Sequence, residues 1–313
     1  MSDVVCLGIL VADVVAKPVK QWPEEGKLVL VDQMELHTGG CAVNTGIDLA
    51  RLGVKVSVMG KVGNDAFGDF MIAALQREGI GTDGVQRQEG VNTSATMVCV
   101  AAGGERSFIH YLGANAELTD EDVDFEIIRG AKILHIGSAL LVPKLDGEPL
   151  ARVLRRAREM GVTTCVDTAW DSRGRWMELV GPALPYTDIC VPSLEEARMI
   201  TGEHEPEAIA RVLLAAGVKT VGIKMGEQGC YVRAGGEEYL VPPFCVEAVD
   251  ANGAGDAWVA GFLCGVVNGL SLLDTARLAN AVGAMSVTAM GASNGVRSLP
   301  ETEAFMARTP VRQ

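Results

Sequence analysis

Apolar residues fall into two arrangements that alternate along the chain. Short, nearly unbroken runs rich in β-branched residues recur as VVCLGILV (4–11), KVSVMGKVG (55–63), AKILHIGS (131–138), VTTCVDT (162–168), DICVPS (188–193) and TVGIKMG (220–226). Their length and composition predict buried strands. Between many of them lie segments with apolar residues at helical spacing. These are CAVNTGIDLARLG (41–53), DAFGDFMIAALQREG (65–79), PLARVLRRAREMG (149–161) and SLEEARMITG (193–202). Apolar strands alternating with amphipathic helices predict βαβ units, and so a mostly parallel sheet covered on both faces. Ligands of such sheets bind beyond the carboxyl ends of the strands.

Two segments break the rhythm. Residues 12–37 contain no good helix and carry Pro18 and Pro23. Residues 92–112 alternate as a strand, turn at Gly103-Gly104, and alternate again, which predicts a hairpin. Together they predict a small antiparallel sheet outside the main one, either a lid over the strand ends or an edge extension of the core. No repeat or low-complexity linker divides the chain, so residues 1–313 read as one α/β domain, its lid formed by 12–37 and 92–112. The final MARTPVRQ (306–313) reads as a frayed tail.

Composition narrows the function. An apolar share of 48% supports a large core, and 37 glycines suit close helix–sheet packing and tight loops. The formal charge of −13 comes with no basic face, which argues against a nucleic-acid partner. The densest basic run, ARVLRRAREM (151–160), has helical apolar spacing and reads as a solvated helix face. An anionic ligand would have to be held locally, by backbone amides or a few cations. Eight scattered cysteines form no CxxC and sit mostly in apolar runs, as reduced core cysteines of a cytosolic protein do. His37, His110, His135 and His204 show no paired spacing for zinc. The N-terminus carries an aspartate where a signal peptide would be positive. No apolar run reaches the about 18 residues a membrane span needs. The expectation is a soluble cytoplasmic protein with no membrane partner.

The stretch VDANGAGDAWVAGFLCGV (249–266) concentrates the chemistry. Gly253-Ala254-Gly255 ahead of an apolar helix exposes backbone amides, and the helix N-terminus adds its dipole, which makes an anion cradle. Asp256 then falls in the first helical turn. It could be a general base beside a bound phosphoryl group, or a capping aspartate on a tightly packed helix. No Walker A loop is present, Trp258 breaks a GxGxxG reading, and protein-kinase HRD and DFG elements are lacking.

Asp250-Ala251-Asn252-Gly253-Ala254-Gly255-Asp256 resembles the D-T-x-G-A-G-D signature of the ribokinase-like (PfkB) carbohydrate kinases. GGCAVNTGIDLARLG (39–53), continuing to Gly63, resembles the same family's N-terminal signature. Two signatures in the right order are far more specific than either alone, and the resemblance covers essentially the whole chain. It implies a ribokinase-like three-layer αβα sandwich with a small antiparallel β lid. It also implies ATP and Mg²⁺ as cofactors, and phosphorylation of a hydroxyl, taken as primary, on a small sugar or sugar derivative. The alternatives are a nucleoside kinase and a non-catalytic sugar- or nucleotide-binding protein on the same fold.

The resemblance assigns roles residue by residue. It makes Asp256 the catalytic base and Gly253, Ala254 and Gly255 the anion hole. Asp13, Gly39, Gly40, Asn44 and Asp167 match substrate-site positions. PSLEEARMITG (192–202) resembles the PNxxEAxxLTG element, so Glu196 would organise Mg²⁺ through water, while Ser193 replaces the usual Asn. KMGEQG (224–229) resembles the T-x-G-x-x-G phosphate turn, which places Lys224, Gly226 and Gly229 at the nucleotide, with Lys for Thr. Asn280 falls on the helix that lines the adenine pocket. Asp250, with residues 290–298, resembles a monovalent-cation (K⁺) loop. Cys41 and Gly137 stand where ribokinase carries Lys and Glu, which argues against ribose. Asp167 matches the family's D-x-N-x-R element, but Ala169 has lost its Asn and the Arg is ambiguous between Arg173 and Arg175. Trp22, Phe108 and Tyr111 are lid aromatics that could stack on a nucleoside. Exposed lid strands could pair in a homodimer.

Overall fold

A computed structural model describes residues 1–312. Its first strands are β1 (Val4–Gly8), β2 (Val11–Lys17), β3 (Gln33–Gly39), β4 (Val56–Gly63), β5 (Gly81–Gln88), β6 (Ala95–Val100) and β7 (Arg106–Tyr111). There follow β8 (Ile133–Ala139), β9 (Thr163–Thr168), β10 (Ile189–Cys190), β11 (Thr220–Lys224), β12 (Cys230–Ala234) and β13 (Glu237–Val241). The helices are α1 (Cys41–Arg51), α2 (Ala66–Arg77), α3 (Phe125–Ile128), α4 (Glu148–Glu159) and α5 (Trp176–Val180). The chain continues with α6 (Leu194–Thr201), α7 (Pro206–Ala215), α8 (Ala254–Val267), α9 (Leu272–Ser286) and α10 (Leu299–Arg308).

The main sheet has nine strands in the order β13-β12-β11-β10-β9-β8-β1-β4-β5. All pairs from β5 to β11 are parallel, and β12 and β13 close one edge antiparallel. The apolar runs are unbroken because both faces are buried. In β1, Val4 and Cys6 join the core under α1, α8 and α9, while Val5 and Leu7 join the core beneath α4. The chain builds outward on one side of β1, then crosses back to β8 on the other. That reversal opens a crevice at the strand ends.

The two segments that broke the helical rhythm form a separate four-stranded sheet, β3-β2-β6-β7. It consists of two antiparallel pairs, β2 with β3 and β6 with β7, whose middle strands run parallel. One face carries Asp13, His37, Thr96 and Arg106. The other carries the cross-strand row Leu36, Val14, Met97 and Ile109.

The tail expected to fray is tied down. Helix α10 runs to Arg308 and packs Phe305 on Phe244, with ring centroids 5.4 Å apart. Beyond it, Cys245 N donates to Pro310 O and Arg312 N to Pro243 O, each at 2.9 Å. An apolar anchor and two backbone hydrogen bonds outweigh the entropy of a free end. Of the predicted tail, Gln313 lies outside the described residues.

Helix α8 is buried on all sides from Asp256 to Gly265. Two of its glycines explain how. A Cβ on Gly261 would sit 2.8 Å from the Ala279 Cα, and one on Gly265 would sit 2.8 Å from Thr275 Oγ1. These glycines let α9 lie against α8 at backbone distance. Gly261→Val is therefore expected to destabilise the fold by about 1–3 kcal/mol through overpacking. A urea midpoint unchanged from wild type would show that the α8–α9 contact tolerates the side chain.

Candidate active site

The expected residues gather where β1, β8, β9 and β11 end and where α1 and α8 begin. The double glycine has a packing reason. A Cβ on Gly39 would lie 2.2 Å from Asp13 Oδ2, and one on Gly40 would lie 2.3 Å from the Ile9 carbonyl oxygen. Gly40 also has φ of 93°, a conformation that disfavours other residues. The glycines thus let Asp13 lie against the chain entering α1. Burial pushes the Asp13 carboxyl above its ordinary range, although Thr96 and His37 oppose the shift.

Asp256 is buried in the first turn of α8, at 8% exposure. Its Oδ2 accepts a hydrogen bond from Asn44 Nδ2 at 2.8 Å. Asn44 is itself buried, and its Oδ1 has no partner. Burial pushes the Asp256 carboxyl up, while Asn44, Lys224 and the Cys41 thiol hold it down against that push. The helix it opens has no side-chain cap. Gly253 occupies the N-cap with φ of 74°, and a Cβ there would meet the Ala292 carbonyl oxygen at 2.5 Å. No side chain takes the first-turn amides, although the Ala254 amide, expected in the anion hole, donates to Ala251 O at 3.3 Å.

Lys224 lies beneath this turn. Its Nζ is 2.6 Å from Asp167 Oδ1 and 3.6 Å from where a Gly255 Cβ would stand. Burial works against its charge, but Asp167, Glu196 and Asp256 together hold the ammonium protonated. Burial pushes the Asp167 carboxyl up to about 7, with Lys224 opposing it. Ser193 and Glu196 form a capping box at the start of α6. Glu196 Oε2 accepts from Ser193 N and from Thr168 Oγ1, both at 3.0 Å. Only one carboxylate oxygen of Glu196 is used in these contacts. Among the described residues no three acidic, histidine or cysteine side chains cluster as a metal cage.

A largely apolar cleft of about 350 Å³ opens beside the cradle. Of the nucleotide-site candidates, Lys224, Gly226, Gly229 and Asn280 line it together with Gly255, and Ser193 does not. Asn280 is committed to the protein. Its Oδ1 accepts from Trp258 Nε1 at 2.9 Å, and its Nδ2 donates to the carbonyls of Val241 and Pro242. It shapes the cleft wall without a free amide to read a base. Pro243, Phe244, Val246 and Arg312 also line the cleft and were missed in the sequence. They lie in an irregular segment and a tail, which have no periodicity to mark them.

Asp250 carries a charge partner of its own. Arg106 Nη2 lies 2.6 Å from its Oδ2, which also accepts from Gly291 N at 2.8 Å, while Oδ1 accepts from Asn252 N at 2.9 Å. These donors leave the carboxylate a poor ligand for the monovalent cation expected there. Asp167 pairs with Lys224 and with neither Arg173 nor Arg175, whose backbone amides donate to Asp171. At Gly137 there is no room for an acidic side chain, since a Cβ would meet Ala42 N at 2.7 Å. Of the three aromatics, Phe108 lies on the Asp13 face of the small sheet, Tyr111 lies on the opposite face, and Trp22 is exposed in the loop between β2 and β3.

Residues 1–299 match the family model described as pfkB family carbohydrate kinase. The chain belongs to the pfkB family. It is a carbohydrate kinase, a phosphotransferase. A relative named probable fructokinase-6, chloroplastic, from Arabidopsis thaliana is 32% identical over 96% of this chain and 80% of that one. A ribokinase structure from Thermotoga maritima superposes with a TM-score of 0.84 at 24% identity, over 98% of this chain and all of that one, which shows the shared fold. An E. coli chain solved with ATP and Mg²⁺ gives 0.84 at 26% identity, over 98% and 100%. Among the described residues no helix is long and apolar enough to cross a membrane.

In this kinase the Lys224 ammonium favours the ionised form of Asp256. Removing it should favour the protonated form, so ionisation would require a higher pH. Lys224→Met is expected to move the acid limb of the kcat/KM–pH profile upward. An unmoved limb, with the variant folded, would detach Lys224 from the ionisation that governs turnover.

Proposed function

We propose that this kinase transfers the γ-phosphoryl group of ATP to a primary hydroxyl of a small sugar or sugar derivative, with Asp256 as general base. The observation that carries the reading is the pair Asp256–Asn44. A buried carboxylate with its pKa raised stands beside a buried, unpartnered amide oxygen, Asn44 Oδ1. A substrate hydroxyl placed there would give its proton to Asp256 as its oxygen attacks phosphorus, and ADP would leave. A second hydroxyl could donate to Asn44 Oδ1.

The remaining residues serve this step. Gly253 and Gly255 present amides to the transferring group, the Ala254 amide being turned to Ala251 O, and Lys224 adds a fixed positive charge beneath them. Asp13 accepts from sugar hydroxyls, with Gly39 and Gly40 allowing its approach. Asp167 acts through Lys224 and does not touch the sugar. Gly226 and Gly229 supply the left-handed conformations of the phosphate turn, with φ of 57° and 87°, and the apolar cleft takes the base. Mg²⁺, when bound with the nucleotide, neutralises phosphate charge, and Glu196 would hold its water shell with Ser193 fixing that carboxylate. The small sheet is the lid that excludes water from the step.

Ribose is disfavoured, because Gly137 has no space for an acidic contact and Cys41 offers no cation. One feature supports a nucleoside instead: Phe108, 61% exposed, lies on the Asp13 face. Rates on sugars and nucleosides in parallel separate the two. Asp256→Asn is expected to lower turnover roughly 100- to 10,000-fold while keeping the thermal shift given by a non-hydrolysable ATP analogue. Turnover near wild type would remove Asp256 from the role of base.

The outward row Leu36, Val14, Met97 and Ile109 supports a homodimer through the lid, since Met97 and Ile109 are about half exposed. Met97→Lys is then expected to sediment as a monomer where the wild type sediments as a dimer. A monomeric wild type would end this part of the proposal.

A further inference from the structure

Arg106 opens β7 on the sheet face that carries Asp13, and its side chain crosses to the loop ahead of α8. Its guanidinium lies 2.6 Å from the Asp250 carboxylate, whose side chain is only 2% exposed. Asn252 N and Gly291 N complete the contacts of that carboxylate. Arg106, Asp250, Asn252 and Gly291 share one wall system with Asp13 and His37 around a cavity of about 110 Å³. The ion pair therefore joins three pieces: the β6–β7 hairpin, the loop before the anion cradle, and the loop after α9. Immediately beyond, Gly253 rests on Ala292 so closely that an added Cβ would touch its carbonyl oxygen at 2.5 Å. A shift of Asp250 against Gly291 would move Gly253 against Ala292, and the cradle with it.

We propose that Arg106 is a cation built into the lid that positions the anion cradle, so that turnover needs no free monovalent ion. The proposal rests on the kinase reading of the same site. Its reason is electrostatic. A carboxylate this buried is strongly unfavourable without a charge partner. Burial raises the Asp250 carboxyl, and Arg106 with the two amides more than reverses the shift. A guanidinium is always charged and offers its donors in a fixed fork, whereas a dissolved ion must be recruited. Because a lid strand carries it, the charge reaches Asp250 only when the hairpin lies against the loop. Lid closure and cradle assembly become one event. Arg106 is a positioning residue, acting on the cradle through Asp250.

The test compares wild type and Arg106→Ala in potassium, tetramethylammonium and low guanidinium chloride at one ionic strength. Phosphotransfer and amide hydrogen exchange are both measured. Wild type is expected to turn over equally in potassium and tetramethylammonium. Arg106→Ala is expected to lose at least about tenfold in tetramethylammonium, and potassium or guanidinium should restore much of the loss. Exchange at the Asn252 and Gly291 amides should speed up in the variant and slow again with either ion. Exchange needs no turnover, so it reads the ion pair even if the assignment of Asp256 fails. A wild type that requires potassium overturns the proposal. A folded Arg106→Ala that keeps full activity in tetramethylammonium overturns it too, as does one whose loss and exchange answer to neither ion. Should the alanine variant not fold, Arg106→Lys replaces it: retained turnover without potassium supports the proposal, and a potassium requirement overturns it.

Discussion

The buried ammonium of Lys224 organises this molecule's working end. It comes from the end of β11 and faces carboxylates from three other elements: Asp167 of β9, Glu196 of α6 and Asp256 of α8. Three carboxylates brought this close would repel one another and resist burial. One ammonium between them makes the arrangement tenable, and it does so only if all four elements hold their places. The parallel sheet supplies that rigidity, because β9, β10 and β11 pair in sequence and end together. The capping box of Ser193 and Glu196 then fixes the start of α6 against the same charge.

Helix α8 meets a different demand. In the proposed transfer its first turn presents amides uncapped by any side chain, and its body must not move. The first condition explains a glycine N-cap with no side-chain cap, where α2, α6 and α9 each use a capping Asp or Ser. The second explains complete burial and glycines against α9. Ordinary helices gain stability from caps and from one apolar face. This one forgoes the cap and is enclosed on every side, so its stability comes from packing.

The small sheet contributes charge as well as cover. Asp13 reaches the site because Gly39 has no side chain to meet its carboxylate. Arg106 reaches the loop ahead of the cradle from the neighbouring hairpin. The opposite face of the same sheet carries the apolar row Leu36, Val14, Met97 and Ile109, so the two faces differ in chemistry.

Much of this was legible in the chain itself. Unbroken apolar runs marked β1, β4, β8, β9, β10 and β11 because a sheet buried on both faces requires them, and helical periodicity marked α1, α2, α4 and α6. Two glycine signatures marked the cradle and the Asp13 approach, because close backbone contacts leave glycine at fixed spacings. β5, β12 and β13 went unread, since half-exposed edge strands lack that apolar signal. What the tertiary structure alone decided is which polar groups are free. Asn280 was placed on a pocket-lining helix and proved bonded to Trp258 and two carbonyls. Asp250 looked open to a dissolved cation and proved to hold Arg106. The C-terminal residues looked loose and proved to be tied down, with Arg312 walling the apolar cleft. Each depends on a contact between residues distant in the chain. Local pattern records how a segment is buried, but a hydrogen-bond partner is chosen only when the folded chain brings donor and acceptor within about 3 Å.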